Sequence, residues 1–115
     1  FVKKANIIAP KFYCLTPIPG TPLSEELNNR GTIVDKNFLE YKPSKSVNNT
    51  PVFSATEVTE QYWHVYEELY KIRVILKRTI FNKRMIKHPF RTLFFFGVNM
   101  IYRQDIKRRV APNIF

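Results

Sequence analysis

The chain has 115 residues and a mass of 13.7 kDa, about one small domain, with 44% apolar and 15% aromatic residues to build a core. This excludes wholesale disorder; three Gly with eight Pro exclude a collagen-like chain, and one cysteine excludes a disulfide framework or a self-sufficient zinc or iron–sulfur site. The net charge of +10 is one-sided: residues 1–70 carry seven basic and eight acidic side chains, whereas residues 71–115 carry twelve basic and one acidic, Asp105.

The opening Phe1-Val2-Lys3 lacks an initiator Met, and we expect a piece of a longer parent whose helix tail survives as residues 1–8. Residues 11–16, Lys-Phe-Tyr-Cys-Leu-Thr, read as a strand that ends in the turn Pro17-Ile18-Pro19-Gly20. Alternation puts Phe12, Cys14 and Thr16 on one face and Tyr13 and Leu15 on the other, so both faces are expected to be buried. Thr21 as N-cap, Pro22 at the first helical position, Glu25 and Glu26 near the positive dipole end and Gly31 as the stop predict a helix over 22–30.

Residues 32–53 are turn-rich, with Pro43, Ser44, Ser46, Asn48, Asn49 and Pro51. Ser54 and Glu57 form a capping box, and Val58, Tyr62, Val65, Tyr66 and Leu69 recur at helical spacing behind it. The pattern runs on through Ile72, Ile75, Leu76 and Ile80 towards Arg84, as one long helix or as one broken near 71–73. His88-Pro89 opens a last helix whose stripe is Phe90, Phe94, Gly97, Val98 and Ile101. With Phe95, Phe96 and Met100 outside that stripe, the helix is apolar nearly all round and expected to be buried or in an interface, and Lys107, Arg108 and Arg109 close it. Its apolar stretch is about half the eighteen or so residues of a membrane span.

No Gly-rich phosphate loop, paired-cysteine motif or nucleophile elbow is present. Glu60, His64 and Glu68 share a helix face, which reads as an exposed charge ladder, since a metal needs more convergent ligands than one helix gives. Cys14 reads as a small hydrophobe, and His88 as a helix-junction residue. The basic stretch interleaves with aromatics, which suits an anionic membrane reached through Arg91, Phe94, Phe95, Arg103, Lys107, Arg108 and Arg109. Nucleic acid is disfavoured because no recognition motif accompanies the charge.

The run Leu15-Thr16-Pro17-Ile18-Pro19-Gly20-Thr21-Pro22-Leu23, then a Glu-bearing helix and Gly31, resembles the end of the catalytic barrel in radical S-adenosylmethionine (radical SAM) enzymes. It is most similar to the group with an N-terminal cobalamin-binding domain, which includes anaerobic magnesium-protoporphyrin IX monomethyl ester cyclase-like and hopanoid methylase-like proteins. The segments 59–70 and 75–78 also resemble that group, so the likeness runs from Phe1 to Arg78. It implies a parent with a 4Fe-4S cluster, S-adenosylmethionine and, in this group, cobalamin. It also places Thr16, Pro19, Gly20 and Thr21 at the barrel rim near cofactor or substrate. The departure is the cluster loop: the family uses Cys-x-x-x-Cys-x-x-Cys, and this chain has Cys14 alone.

The expected architecture is therefore mainly α with a minor β element. It comprises the end of a (β/α) radical SAM barrel over 1–31, a linker over 32–53 and a helical C-terminal domain over 54–115. The expected role is a non-catalytic, cytoplasmic part of a radical SAM enzyme that covers the barrel and shapes substrate access. The alternative is a basic amphipathic module on an anionic membrane. Expected partners are the remainder of the parent chain and a second copy. Cut from its barrel neighbours, the 11–16 segment is expected either to pair with that copy through its edges or to lie irregularly against the helices.

Overall fold

The computed structural model describes residues 1–37, 39, 41, 42 and 44–112, so the turn residue Pro43 lies outside the described residues. The fold is mainly helical: α1 (Pro22–Asn29), α2 (Ala55–Leu69), α3 (Ile72–Arg78), α4 (Lys83–Ile86) and α5 (Pro89–Lys107). Among the described residues the strand pairing amounts to one isolated antiparallel bridge, Ile33 with Asn48, and no barrel is formed. Residues 11–18, expected as strand and turn, are irregular up to the turn at Pro19. An extended segment becomes a strand only against a neighbour that completes its hydrogen-bond ladder, and here no described segment does so. The alternation survives in burial: Phe12, Cys14 and Thr16 are half-buried, whereas Tyr13 and Leu15 are exposed rather than buried.

The chain divides into two compact units, residues 12–62 and residues 1–11 with 63–115. The 12–62 unit begins with a Pro19-Gly20 turn. The Thr21 amide donates to the Ile18 carbonyl at 3.2 Å, and Gly20 has φ +83°, the left-handed value that a type II turn requires. Thr21 then caps α1 by accepting from the Ser24 amide at 3.3 Å, and its hydroxyl donates to Ile18 O at 2.7 Å. At the other end Gly31 (φ +67°) completes a Schellman motif, with Gly31 N to Asn28 O at 3.0 Å and Thr32 N to Leu27 O at 3.2 Å. Around the bridge, Val34 N reaches Val47 O at 2.9 Å and Asn49 N reaches Thr32 O at 2.8 Å. Asn49 Oδ1 accepts from the first amide of α2, that of Ala55, at 2.8 Å. The capping box of α2 is formed: Ser54 N donates to Glu57 Oε2 at 2.8 Å and Glu57 N to Ser54 Oγ at 3.3 Å.

The other unit is built on aromatics. Trp63, Tyr66, Leu69 and Tyr70 line the buried side of the α2 C-terminal half and the turn after it. Ring centroids step from Trp63 to Tyr66 (6.2 Å), to Tyr70 (6.0 Å) and to Tyr102 of α5 (6.0 Å), within the range of favourable ring pairs. Ile75 of α3, Met85 of α4, and Val98 and Ile106 of α5 complete the core, and α5 packs on both α3 and α4. Of the two alternatives past Leu69, a long helix and a broken one, the structure has the broken one: α2 stops at Leu69 and α3 starts at Ile72. The first residues are not a helix but one turn, closed by Ala5 N to Phe1 O at 2.9 Å.

α5, expected to be buried or in an interface because it is apolar nearly all round, is buried on one side. Val98 is buried, but Phe90 is 89% exposed, and Phe94 and Ile101 are exposed as well. The face turned inward is Val98, Asn99, Tyr102 and Ile106. No described helix is long and apolar enough to cross a membrane.

Candidate functional site

The polar centre of the second unit is Asn99, fully buried in the middle of α5. Its Oδ1 accepts from Arg78 Nε at 3.0 Å and also from Arg78 Nη2. Its Nδ2 donates to the carbonyls of Phe95 (2.7 Å) and Ile8 (3.0 Å). Tyr70 extends the network: its hydroxyl donates to Pro10 O at 2.7 Å, and Arg103 Nη1 donates to the Tyr70 carbonyl at 2.8 Å. Two buried side chains, Tyr70 in the turn after α2 and Asn99 in α5, thus fasten residues 8–10 to positions 60 and 91 residues away in sequence.

Arg78 is only 5% exposed, with its guanidinium carbon 4.4 Å from the centre of the Tyr70 ring. Burial pushes its pKa down, and burial pushes that of the Tyr70 hydroxyl up, opposed by the adjacent Arg78 charge. The partners of Arg78 are a carboxamide and a ring, both neutral.

Arg78 forms one wall of a cleft of about 230 Å³ between the first residues of the chain and the α2–α3 corner. Leu69, Val74 and Ile7 give it apolar walls, and Lys3, Arg73 and Lys77 stand around it. No carboxylate lines it among the described residues. Glu68, which feels the charge of Lys3, is ion-paired with Lys71.

Of the turn residues, Pro19 and Gly20 are exposed, whereas Thr16 and Thr21 are half-buried and bonded locally, Thr16 to Cys14 O at 3.2 Å and Thr21 as the α1 cap. Burial raises the pKa of the Cys14 thiol. Glu60 and His64 are exposed and Glu68 is half-buried; no group of three or more His, Cys, Asp or Glu able to hold a metal occurs among the described residues. A single cysteine does not fit a 4Fe-4S cluster, so no chemistry through one is derived for this chain.

The basic and aromatic set divides in two. Arg103 is occupied with Tyr70 O. Arg109, in the left-handed region at φ +55°, lies 5.5 Å over the Trp63 ring and 3.7 Å from Glu67. Phe95 is half-buried, its ring edge-on to Phe94 at 5.4 Å. Arg91, Phe94, Lys107 and Arg108 are exposed, together with Leu93 (70% exposed). Sequence reasoning missed the Arg78–Asn99–Tyr70 network, for which the available signal was a lone Asn within the apolar run 93–101 of α5.

No protein-family model and no solved structure matches the chain. The chain is 30% identical over 86 residues, 75% of its length, to the bacteriochlorophyllide d C-8(2)-methyltransferase of Chlorobaculum tepidum. It spans 19% of the length of that protein.

Proposed function

We propose that this chain is a helical, non-catalytic region of a radical SAM enzyme of the cobalamin-binding group, one that acts on a tetrapyrrole-like or similarly apolar substrate. The observation that carries this reading is the 30% identity over 86 residues to a bacteriochlorophyllide methyltransferase, which agrees with the resemblance of the 15–23 turn, α1 and α2 to that group. The region would cover the barrel and shape substrate access. Thr16, Pro19, Gly20 and Thr21 would lie at the rim, and the parent would supply the 4Fe-4S cluster, S-adenosylmethionine and cobalamin. The coding sequence upstream of Phe1 tests this. A Cys-x-x-x-Cys-x-x-Cys motif followed by alternating strands and helices supports the reading, and a start codon just before Phe1 overturns it.

A second reading is favoured by one observation, the exposed apolar side of α5. Phe90, Leu93, Phe94 and Ile101 face outward, and Arg91, Lys107 and Arg108 lie beside and beyond them. Such a face suits an anionic membrane, with rings in the acyl boundary and cations among headgroups. Cosedimentation with phosphatidylglycerol vesicles should be strong at low salt, and the double change Leu93→Glu/Phe94→Glu should abolish it while leaving the helical content intact. Absence of binding by the unchanged chain at low salt rejects this role.

A further inference from the structure

A guanidinium removed from water loses several kcal/mol of hydration, and such groups are ordinarily paired with a carboxylate or phosphate. Arg78 is 5% exposed, yet its partners are the Asn99 carboxamide and the Tyr70 ring, and neither carries charge. These contacts satisfy donors and leave the positive charge uncompensated. The cleft that Arg78 borders adds Lys3, Arg73 and Lys77 and no acid among the described residues. Four cations around a concavity with low-dielectric walls focus a positive potential into it.

The walls are not those of a simple ion site. Leu69 is buried, and Val74 and Ile7 bring further aliphatic surface to the same space. A hydrated inorganic ion gains nothing from such walls, whereas an acyl or alkyl body does. At about 230 Å³ the cleft is below the roughly 300 Å³ at which drug-sized sites begin, so the apolar body it takes is short.

We propose that this cleft binds a small amphiphilic anion, a carboxylate or phosphate carried on a short aliphatic body, with the head group towards Arg78, Arg73 and Lys77 and the body against Leu69 and Val74. The site consists of residues of this chain and does not depend on the parentage proposed above.

Titration of the 115-residue chain with octanoate and octyl phosphate, read by calorimetry and by the methyl resonances of Leu69 and Val74, tests it. Octanol and inorganic phosphate serve as tail-only and head-only controls. At least one amphiphilic anion is expected to bind with one-to-one stoichiometry and shift both methyl groups, at least ~10-fold more tightly than either control. Octanoate alone, or octyl phosphate alone, identifies which head group the site takes. Arg73→Gln and Lys77→Gln change exposed side chains, so the fold is kept, and each should weaken binding by about 3- to 10-fold, as should added salt. The proposal is overturned if octanol matches the anions, if inorganic phosphate matches them, if no probe binds, or if both variants bind as the unchanged chain does.

Discussion

At the residue scale, two buried tyrosines make a controlled comparison. The Tyr70 hydroxyl donates to Pro10 O, whereas that of Tyr102 has no hydrogen-bond partner among the described residues although both rings are 1% exposed. Removing an unmatched buried hydroxyl relieves a desolvation cost, and removing a matched one strands a carbonyl. Thermal unfolding should therefore show Tyr70→Phe destabilised by about 1–2 kcal/mol and Tyr102→Phe unchanged or slightly stabilised. Equal losses for the two would refute the network as drawn. Asn99 is the more severe site: Asn99→Ala removes the acceptor for a buried cation and a donor to two carbonyls, and should cost about 3 kcal/mol or more by the same measurement.

Among the elements, α1 was legible because everything that delimits it is local. The Thr21 cap, Pro22 and Gly31 act within a few residues of the helix, and the structure ends it within one residue of the sequence boundary. Gly31 has open space where a Cβ would lie, so Gly31→Ala tests backbone strain alone and should cost about 1 kcal/mol in chemical denaturation. The α2 capping box was equally readable, and its chemistry predicts a pH dependence. The Ser54 amide and hydroxyl hold the Glu57 carboxyl below its usual range. A depressed folded pKa means that this contribution is fully present above the unfolded value, about 4.3, and is lost as pH falls through the lower folded value. Acid titration followed at the Ser54 amide should show protection fading below that range, and Glu57→Gln should keep the cap while removing the titration. The face of α5 was not legible. Its inward side is organised by Asn99 bonding Arg78, 21 residues earlier, and counting apolar residues alone selects the outward Phe90–Phe94–Ile101 side. Residues 11–16 carry strand composition without the partner that makes a strand, and their irregular course is one of the two outcomes expected of a barrel strand without its neighbours.

For the molecule as a whole, the least readable feature was long-range closure. The bonds of Ile8 with Asn99 and of Pro10 with Tyr70 follow from no local pattern, yet they bring residues 1–11 into one unit with residues 63–115. The 12–62 unit is therefore an insertion, with both its ends attached to the same neighbour. This arrangement makes backbone continuity dispensable in a specific place. A protease cut after the exposed Lys36 or the exposed Lys42 would release two polypeptides, and the smaller would still carry Ile8 and Pro10. Their buried hydrogen bonds should hold the pieces together as a non-covalent complex, co-eluting in native size exclusion and separating only in denaturant. Lengthening or shortening the chain between Lys36 and Lys42 by several residues should likewise leave the melting of the aromatic unit nearly unchanged, because loop closure costs grow only slowly with length.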